Sequence, residues 1–207
     1  MDTFEAIYNR RAVKHFDADH MMPEADLQKL LEAAIQSPTS FNIQHWRFVV
    51  VRDKALRKQI REAGNNQAQI TDASVLIAVT ADTLAWKKDA QRYWCDVPPE
   101  VAKMVVGLIG PFYEGREWLQ RDEAMRSIGI ASQTIMLAAK ALGYDSCPMI
   151  GFDLDQVAKL IGLPADHVMG NLIAIGKATK PAWPKPGQLP LEEVTVTDRF
   201  ARPGAEG

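Results

Sequence analysis

Three cationic side chains lie within five residues near the start of the chain: Arg10, Arg11 and Lys14. They stand where a predicted helix, residues 3–10, gives way to residues 12–16, which are predicted to be extended. Clustered like charges repel one another, so such a cluster costs stability unless an anion neutralises it. The spacing leaves two interpretations open, an anion-binding site or a solvated basic surface.

A second group of polar side chains occupies residues 37–46, with the sequence SPTSFNIQHW. Three hydroxyls, two amides and an indole stand in these ten residues, between a predicted helix and a predicted buried strand. Polar loops held on a rigid scaffold are the usual place for ligand recognition. An ordinary capping loop explains the composition equally well.

Several catalytic patterns are absent from the sequence. No two of the 13 glycines are separated by a single residue, so there is no GxGxxG dinucleotide fingerprint. Cysteine and histidine spacings typical of metal sites are also missing. His15 and His20 flank two aspartates, but a polar turn accounts for that composition, and we predict no metal site. The basic run over residues 52–61 predicts a solvated helix face, with an anion or nucleic-acid patch as the alternative.

The composition is that of an ordinary globular protein. With 207 residues, 47% of them hydrophobic, the chain can bury a core as one domain or two small ones. A net charge of −2 argues against a nucleic-acid partner. No apolar stretch approaches the roughly 20 residues of a membrane span, and the N-terminus has no apolar signal core. Cys95 and Cys147 lie in no CxxC pattern, which is typical of free thiols, and we expect a cytoplasmic protein.

Hydrophobic periodicity predicts an α+β fold or a three-layer sandwich around a small sheet. The predicted strands cover residues 48–51, 75–80, 145–149 and 168–175. The predicted helices cover residues 3–10 with Thr3 as N-cap, 23–36, 53–63, 98–110, 117–142 and 153–161. Gly110 and Pro111 are expected to end the fourth helix.

Two segments are poorly suited to a single isolated chain. From Ile128 onward the long helix is apolar nearly all round, which predicts burial on several faces, one of them against another subunit. Four prolines stand between residues 181 and 190, after which residues 191–197 alternate like a strand. Such a tail must lie along another surface, its own or a partner's.

Four segments resemble the FMN-dependent nitroreductase family in order and spacing: RRAVKHF, SPTSFNIQHWRF, ALGYDSCPMIGFD and PKPGQLPLEEV. The resemblance implies a three-layer α+β sandwich with a mostly antiparallel central sheet flanked by helices, assembled as a homodimer. Residues 1–176 would form the core domain. Residues 177–207 would form a C-terminal extension that wraps the partner subunit and adds a strand to its sheet.

The activity that the resemblance implies is transfer of a hydride from NAD(P)H through FMN to a nitroaromatic, a quinone or a related acceptor. NAD(P)H and the acceptor would use the same place in turn, by a ping-pong mechanism. The chemistry would occur at the flavin N5, so no side chain is assigned as catalytic. Relatives also act as reductive dehalogenases, enone or pteridine reductases and flavin-dependent dehydrogenases. A flavin storage or sensing dimer is the non-enzymatic alternative.

The family's flavin site carries over residue by residue. Arg10 matches the phosphate-binding arginine, Arg11 and Ala12 lie along the ribityl phosphate chain, and Lys14 faces the pyrimidine edge. Lys185, in the tail, matches a second phosphate-binding cation. The other expected positions are Pro38, Thr39, Ser40 and Asn42 from the partner subunit, Asn66 and Gln69 at the pyrimidine edge, and Pro148, Met149, Ile150 and Gly151 beside N5.

The acceptor is expected beside Ser40, under a roof formed by Phe112 or Tyr113. Three positions depart from the family pattern. His45 replaces a proline, Gln69 replaces a lysine found in some members, and no arginine follows Lys185. The loss of the lysine makes the pyrimidine edge less positive, which predicts a milder oxidant.

Overall fold

Every residue of strand β2 (Val75–Asp82) is buried, which makes this strand the centre of the fold. In the computed structural model, which describes residues 1–200, β2 lies between β1 (Trp46–Val51) and β4 (His167–Gly176). Strand β3 (Asp145–Met149) pairs with the other edge of β4. All three pairings are antiparallel, in the order β1-β2-β4-β3.

Helices cover both faces of the sheet, as a sheet buried on both sides requires. Their bounds are α1 (Thr3–Asn9), α2 (Glu24–Ala34), α3 (Lys54–Ala63), α4 (Gln69–Asp72), α5 (Pro99–Tyr113), α6 (Glu117–Ala141), α7 (Leu154–Leu160) and α8 (Leu191–Val194). Short 3₁₀ turns lie at Ser40–Asn42, Ala85–Lys87 and Ala90–Trp94.

Successive residues of β2 point to opposite faces and thereby divide the core in two. Leu76 and Ala78 pack with apolar residues of α3, α4 and α7. Val75, Ile77 and Val79 pack with α2 and α6 on the other face. The predicted three-layer α+β sandwich is confirmed.

Polar side chains cap three of the helices, and the cap of α1 differs from the predicted residue Thr3. Asp2, and not Thr3, caps α1, because its carboxylate accepts from the N–H of Glu5 and forms a capping box. Asp53 caps α3 by accepting from two backbone N–H groups, and Asp153 caps α7.

The prediction that a helix ends at Gly110 is wrong. Helix α5 continues through Pro111 to Tyr113. Proline at this position removes one helical hydrogen bond. Ile109 and Tyr113 lie one turn apart on the same face, and both are fully buried. We attribute the continuation of the helix to this packing, which offsets the lost bond.

The prediction of a fully solvated face for residues 52–61 is wrong at Arg57. Its side chain is 9% exposed. Arg57 precedes the buried residues Ile60 and Ala63 by three and six positions, and this spacing places it on the inner face of α3.

Only the first part of the predicted extension packs on its own chain. The N–H of Asp17 donates to the Lys177 carbonyl at 2.9 Å, and the N–H of Thr179 donates to His15 at 3.0 Å. The prediction of a strand over residues 191–197 is wrong for this chain, because residues 191–194 form the short helix α8. The large apolar side chains between residues 189 and 200 are exposed, from 52% at Val196 to 82% at Phe200. Residues 201–207 of the predicted extension lie outside the described part.

Helix α6 is confirmed at Glu117–Ala141, and ten of its 25 residues are buried. Large apolar side chains remain exposed on α6 and on two other helices: Phe4, Ile7 and Tyr8 of α1, Met104 and Leu108 of α5, and Trp118 of α6. Among residues 1–200, no helix is both long and apolar enough to cross a bilayer. The cytoplasmic location stays a prediction.

Candidate active site

The basic segment that follows α1 lies against the edge of β3. Ala12 forms a parallel bridge with Ser146, and the N–H of Val13 donates to the Ser146 carbonyl at 3.0 Å. Val13 and Phe16 are buried in the core, and they anchor the segment. Ala12 and Lys14 are exposed beside them, as expected for alternation in an extended chain.

The loop after α3 is attached to the turn that follows β3. The side-chain amides of Asn65 and Gln67 both donate to the Gly151 carbonyl at 3.0 Å. Gln69 is buried, and its amide donates to Gln67 at 3.0 Å and contacts the sulfur of Cys147 at 3.9 Å. The structure thus brings the predicted 66–69 and 148–151 positions together.

Asn66 stands at the exposed bend of this loop. Its backbone has φ 54°, a left-handed conformation that asparagine tolerates better than most residues, and its N–H donates to Arg61 at 2.9 Å. Lys14 reaches the same edge of the sheet, because it follows Val13, whose N–H donates to Ser146, the residue before Cys147. Its positive charge partly opposes the burial that raises the pKa of the Cys147 thiol. Residues 10–14, 66–69 and 147–151 therefore form one surface.

This surface is strongly basic. Within residues 1–200, neither Arg10, Arg11 nor Lys14 forms an ion pair with a carboxylate. Arg11 Nη2 donates to the Trp183 carbonyl at 2.5 Å. Lys185 is exposed in the proline-rich stretch two residues later. Three uncompensated cations beside exposed extended backbone are suited to an anionic ligand.

The polar loop of residues 37–44 does not meet this surface within one chain. Ser37 Oγ donates to Thr134 of α6 at 3.0 Å, and Asn42 Nδ2 donates to the Tyr93 carbonyl at 2.8 Å. Thr39 Oγ1 accepts from the N–H of Gln44 at 2.9 Å, inside the loop. Pro38 is exposed and Ser40 half-buried. The expectation that a partner subunit supplies this loop stays a prediction.

The two predicted roof residues differ in accessibility. Phe112 is 36% exposed and contacts Phe41 edge-on, with 5.2 Å between ring centroids. Tyr113 is fully buried, and its burial raises the pKa of its hydroxyl. Within one chain, only Phe112 offers surface to an acceptor.

Residues 7–177 match the Nitroreductase family. The chain belongs to the nitroreductase family. It is 61% identical over 196 residues to Protein DrgA of Synechocystis, covering 92% of this chain and 93% of that protein. A Bacillus subtilis protein provisionally named NAD(P)H nitroreductase YodC is 30% identical over 94% of this chain and 98% of its own.

A solved structure has the same fold with a flavin bound. It is that of a provisionally named nitroreductase from Exiguobacterium sibiricum, in complex with FMN. The TM-score is 0.88 at 28% sequence identity, over 95% of this chain and 97% of the other.

The donor set of this chain is suited to a phosphorylated planar ligand. Neither guanidinium of Arg10 and Arg11 pairs with a carboxylate within residues 1–200, and such groups can form two-pronged bonds with phosphate oxygens. In the turn after β3, Gly151 is exposed, and a Cβ built there would meet nothing within 4 Å. The two arginines are suited to a phosphate, and the exposed backbone at Gly151 leaves room for a ring.

The chain also contains a buried histidine whose environment the sequence does not reveal. His45 is fully buried, with Nδ1 3.1 Å from Ser127 Oγ. Burial lowers its pKa to about 4, so the imidazole is neutral at pH 7. Its ring lies 6.3 Å from that of Tyr113, behind the predicted acceptor site.

An ion-pair network at the end of β2 was also missed. Lys88 Nζ contacts Asp82 at 2.8 Å and Asp166 at 2.5 Å, and His167 Nδ1 lies 2.7 Å from Asp166. The Lys88 ammonium bridges the two carboxylates, and Arg47 adds a second cation 3.8 Å from Asp82, so we interpret the network as structural. These residues lie up to 85 positions apart in the sequence, and no local pattern joins them.

Proposed function

We propose that this nitroreductase is an FMN-dependent oxidoreductase that uses NAD(P)H to reduce nitroaromatics, quinones or related acceptors by a ping-pong mechanism. The observation that carries the proposal is the unpaired basic cluster of Arg10, Arg11 and Lys14 beside β3 and the 148–151 turn. The FMN complex of the Exiguobacterium protein and the name of the Bacillus relative support it.

FMN, when bound, would supply the hydride chemistry, and the chain would supply binding and charge. Arg10 and Arg11 would hold the phosphate through charge-assisted hydrogen bonds, with Ala12 along the ribityl chain. Lys185 would add a further cation from the tail. Because charge-assisted bonds are about twice as strong as neutral ones, these cations would dominate cofactor affinity.

Lys14, Asn66 and Gln69 would face the pyrimidine edge of the ring. The positive charge of Lys14 would favour negative charge on that edge and thereby favour hydride uptake. A neutral glutamine at position 69 adds no charge of its own. The backbone of Pro148, Met149, Ile150 and Gly151 would lie beside N5 and orient the ring by hydrogen bonding.

A second copy of the chain would complete the site. Pro38, Thr39, Ser40 and Asn42 would come from it, with Ser40 and Phe112 beside the acceptor and Tyr113 behind. The exposed apolar side chains of α1, α5 and α6 and of residues 189–200 support an extensive apolar interface. In this proposal residues 1–176 form the core domain, residues 177–183 of the extension stay on their own chain, and the rest of the extension, up to residue 207, packs on the partner subunit.

A ping-pong order belongs to the proposal because one place on the flavin ring would serve both substrates in turn. The 207 residues contain no GxGxxG fingerprint of a dinucleotide-binding fold. NAD(P)H would therefore stack where the acceptor later binds and would have to leave first.

The test is flavin loading followed by turnover. Purified full-length protein is mixed with FMN, freed of excess flavin and reduced anaerobically with NADH or NADPH. The oxidised product is then removed, and a nitroarene, a quinone or an enone is added. We expect bound flavin that bleaches with the nicotinamide and recovers its colour with at least the nitroarene or the quinone. Steady-state rates should give parallel double-reciprocal lines.

Three other outcomes would contradict the proposal in different ways. Protein that takes up no FMN contradicts the flavin assignment. Bound FMN that NAD(P)H does not reduce indicates storage or sensing. Recovery with the enone alone indicates an enone reductase on the same fold.

A further inference from the structure

The loop that carries Ser40 has an unusual backbone. Phe41, Asn42 and Gln44 have φ values of 51°, 54° and 55°, in the left-handed region. Asparagine adopts this conformation readily, but it is disfavoured for a bulky residue such as Phe41. A residue in a disfavoured conformation needs surroundings that fix it, and such residues cluster at functional sites. The conformation of Phe41 therefore directs attention to the contacts that hold it.

Two hydrogen bonds attach this loop to the 3₁₀ turn Ala90–Trp94. The indole N–H of Trp94 donates to the Phe41 carbonyl at 3.0 Å. The side-chain amide of Asn42 donates to the Tyr93 carbonyl at 2.8 Å. Because the bonds join consecutive residues on both segments, they form one clamp, which we call the 93–94 clamp.

The other end of the loop is fixed by apolar packing. Ile43 is fully buried in the cluster that contains Tyr113. Ser40 lies between this anchor and the start of the loop, and its carbonyl accepts from the N–H of Ile43 at 3.1 Å. The bond from Trp94 reaches the backbone of the left-handed residue itself, one position after Ser40. It is therefore placed to control the backbone on which Ser40 depends.

We propose that Trp94 is a positioning residue of the acceptor site, which acts on Ser40 through the Phe41 carbonyl. This inference rests on the proposed function, which places Ser40 beside the acceptor. With the 93–94 clamp intact, the loop presents the Ser40 hydroxyl in one orientation. Without the indole N–H, Phe41 is free to leave the left-handed conformation, and the neighbouring hydroxyl is no longer held where the acceptor binds.

The same geometry gives the Asn42 side chain a task within its own chain. Its amide nitrogen is engaged by the Tyr93 carbonyl, so this side chain fixes the loop from the second side of the clamp. Loss of either bond should therefore affect acceptor binding in the same direction.

The test is steady-state turnover of the flavin-loaded protein with NADH and either nitrobenzene or menadione, whichever the native protein reduces faster. Trp94→Phe keeps an aromatic ring but loses the N–H. It should raise the KM of the acceptor about 3- to 10-fold, the effect of one neutral hydrogen bond, and change kcat less than about twofold. The dissociation constant of FMN should change less than about threefold, because charged groups dominate it.

Two further variants make the test specific. Tyr93→Phe is the matched control in the same turn, because the oxygen it removes takes part in neither bond of the clamp. Its acceptor KM should stay within about twofold of the native value. Asn42→Gly keeps a left-handed backbone but loses the amide, and it should raise the acceptor KM as Trp94→Phe does. Circular dichroism checks that each variant is folded, and Asn42→Gly decides the matter if Trp94→Phe is not.

The outcomes separate this role from the proposed function. Native protein that binds no FMN, or that reduces neither acceptor, contradicts the proposed function and the positioning role with it. Native turnover with an unchanged acceptor KM in both Trp94→Phe and Asn42→Gly overturns the positioning role alone. A lower kcat or lower thermal stability at unchanged KM overturns it too, because a purely structural role predicts that result. An equal rise of the acceptor KM in Tyr93→Phe would also overturn it.

Discussion

The ammonium of Lys14 lies over the indole ring of Trp183, with 4.8 Å between Nζ and the ring centroid. The same tail residue accepts a hydrogen bond from Arg11 through its carbonyl. Two of the three clustered cations are therefore held by the tail of their own chain. The contact orients the lysine without neutralising its charge, because an aromatic ring attracts a cation but carries no net charge.

Replacing Lys14 tests its proposed role at the ring. Lys14→Met should leave FMN bound but lower the midpoint potential of the bound flavin by roughly 20–60 mV, because a positive charge that stabilises the reduced form is lost. Spectroelectrochemical titration measures the potential. Lys14→Arg keeps the charge and should stay within about 15 mV of the native value. Equal midpoint potentials in the native protein and both variants would contradict the placement of Lys14 beside the flavin ring.

Replacing Arg10 tests the proposed phosphate site. Arg10→Ala should raise the dissociation constant of FMN roughly 10- to 100-fold, the effect expected for one charge-assisted hydrogen-bonding group. Fluorescence quenching on FMN titration measures it. Lys159→Ala, which removes an exposed cation on α7, is the matched control and should bind FMN normally. Full flavin affinity in Arg10→Ala would favour the solvated-surface interpretation of the cluster.

The sequence predicts most of the fold because the sheet is buried on both faces. Apolar runs such as Val75–Val79 are recognisable without partners, since a fully buried strand needs an almost continuous hydrophobic segment. The basic segment and the 148–151 turn are local motifs, and they too could be located in advance. The error at Pro111 had a different origin, because the local rule for proline was overridden by the burial of Tyr113.

Buried polar residues were beyond prediction because their partners are remote. His45 meets Ser127, 82 positions away, and Lys88 meets Asp166, 78 positions away. In the sequence, Arg57 cannot be distinguished from the other cations of residues 52–61 until it is known which face of α3 packs on the sheet. Where a charged side chain is buried depends on packing, and periodicity alone does not give it.

The network at the end of β2 predicts a loss of stability when Lys88 is removed. Asp82 is 3% exposed, and without the ammonium its buried carboxylate would keep the N–H of Leu84 at 2.9 Å and, as its nearest cation within residues 1–200, the more distant Arg47 at 3.8 Å. Lys88→Met should lower the free energy of unfolding by about 1–3 kcal/mol, less than for a fully buried pair because Lys88 is partly exposed. Urea denaturation at fixed protein concentration measures it.

Lys87 provides the matched control for this change. It neighbours Lys88 in sequence and is exposed, and it forms no ion pair within residues 1–200. Lys87→Met should change the stability by less than about 0.5 kcal/mol. If the two variants were equally stable, the network would contribute nothing beyond surface charge.

The lowered pKa of His45 predicts that the free energy of unfolding depends on pH between about 4 and 6.5. Its pKa of about 4 in the folded protein lies below the ordinary value of 6.5. Between pH 6.5 and 4 the histidine is protonated in the unfolded chain but stays neutral in the folded one. The free energy of unfolding is therefore highest above pH 6.5 and decreases as the pH drops towards 4. The loss over this window should be roughly 2–4 kcal/mol.

His45→Gln isolates this contribution, because glutamine does not titrate. Urea denaturation at several pH values between 4 and 7.5 should give a steeper loss for the native protein than for the variant. The stability difference between the two should therefore change by the predicted amount across the window and stay constant above pH 7. Parallel pH profiles would mean that the imidazole is solvated or protonated in the fold, against its complete burial in contact with Ser127.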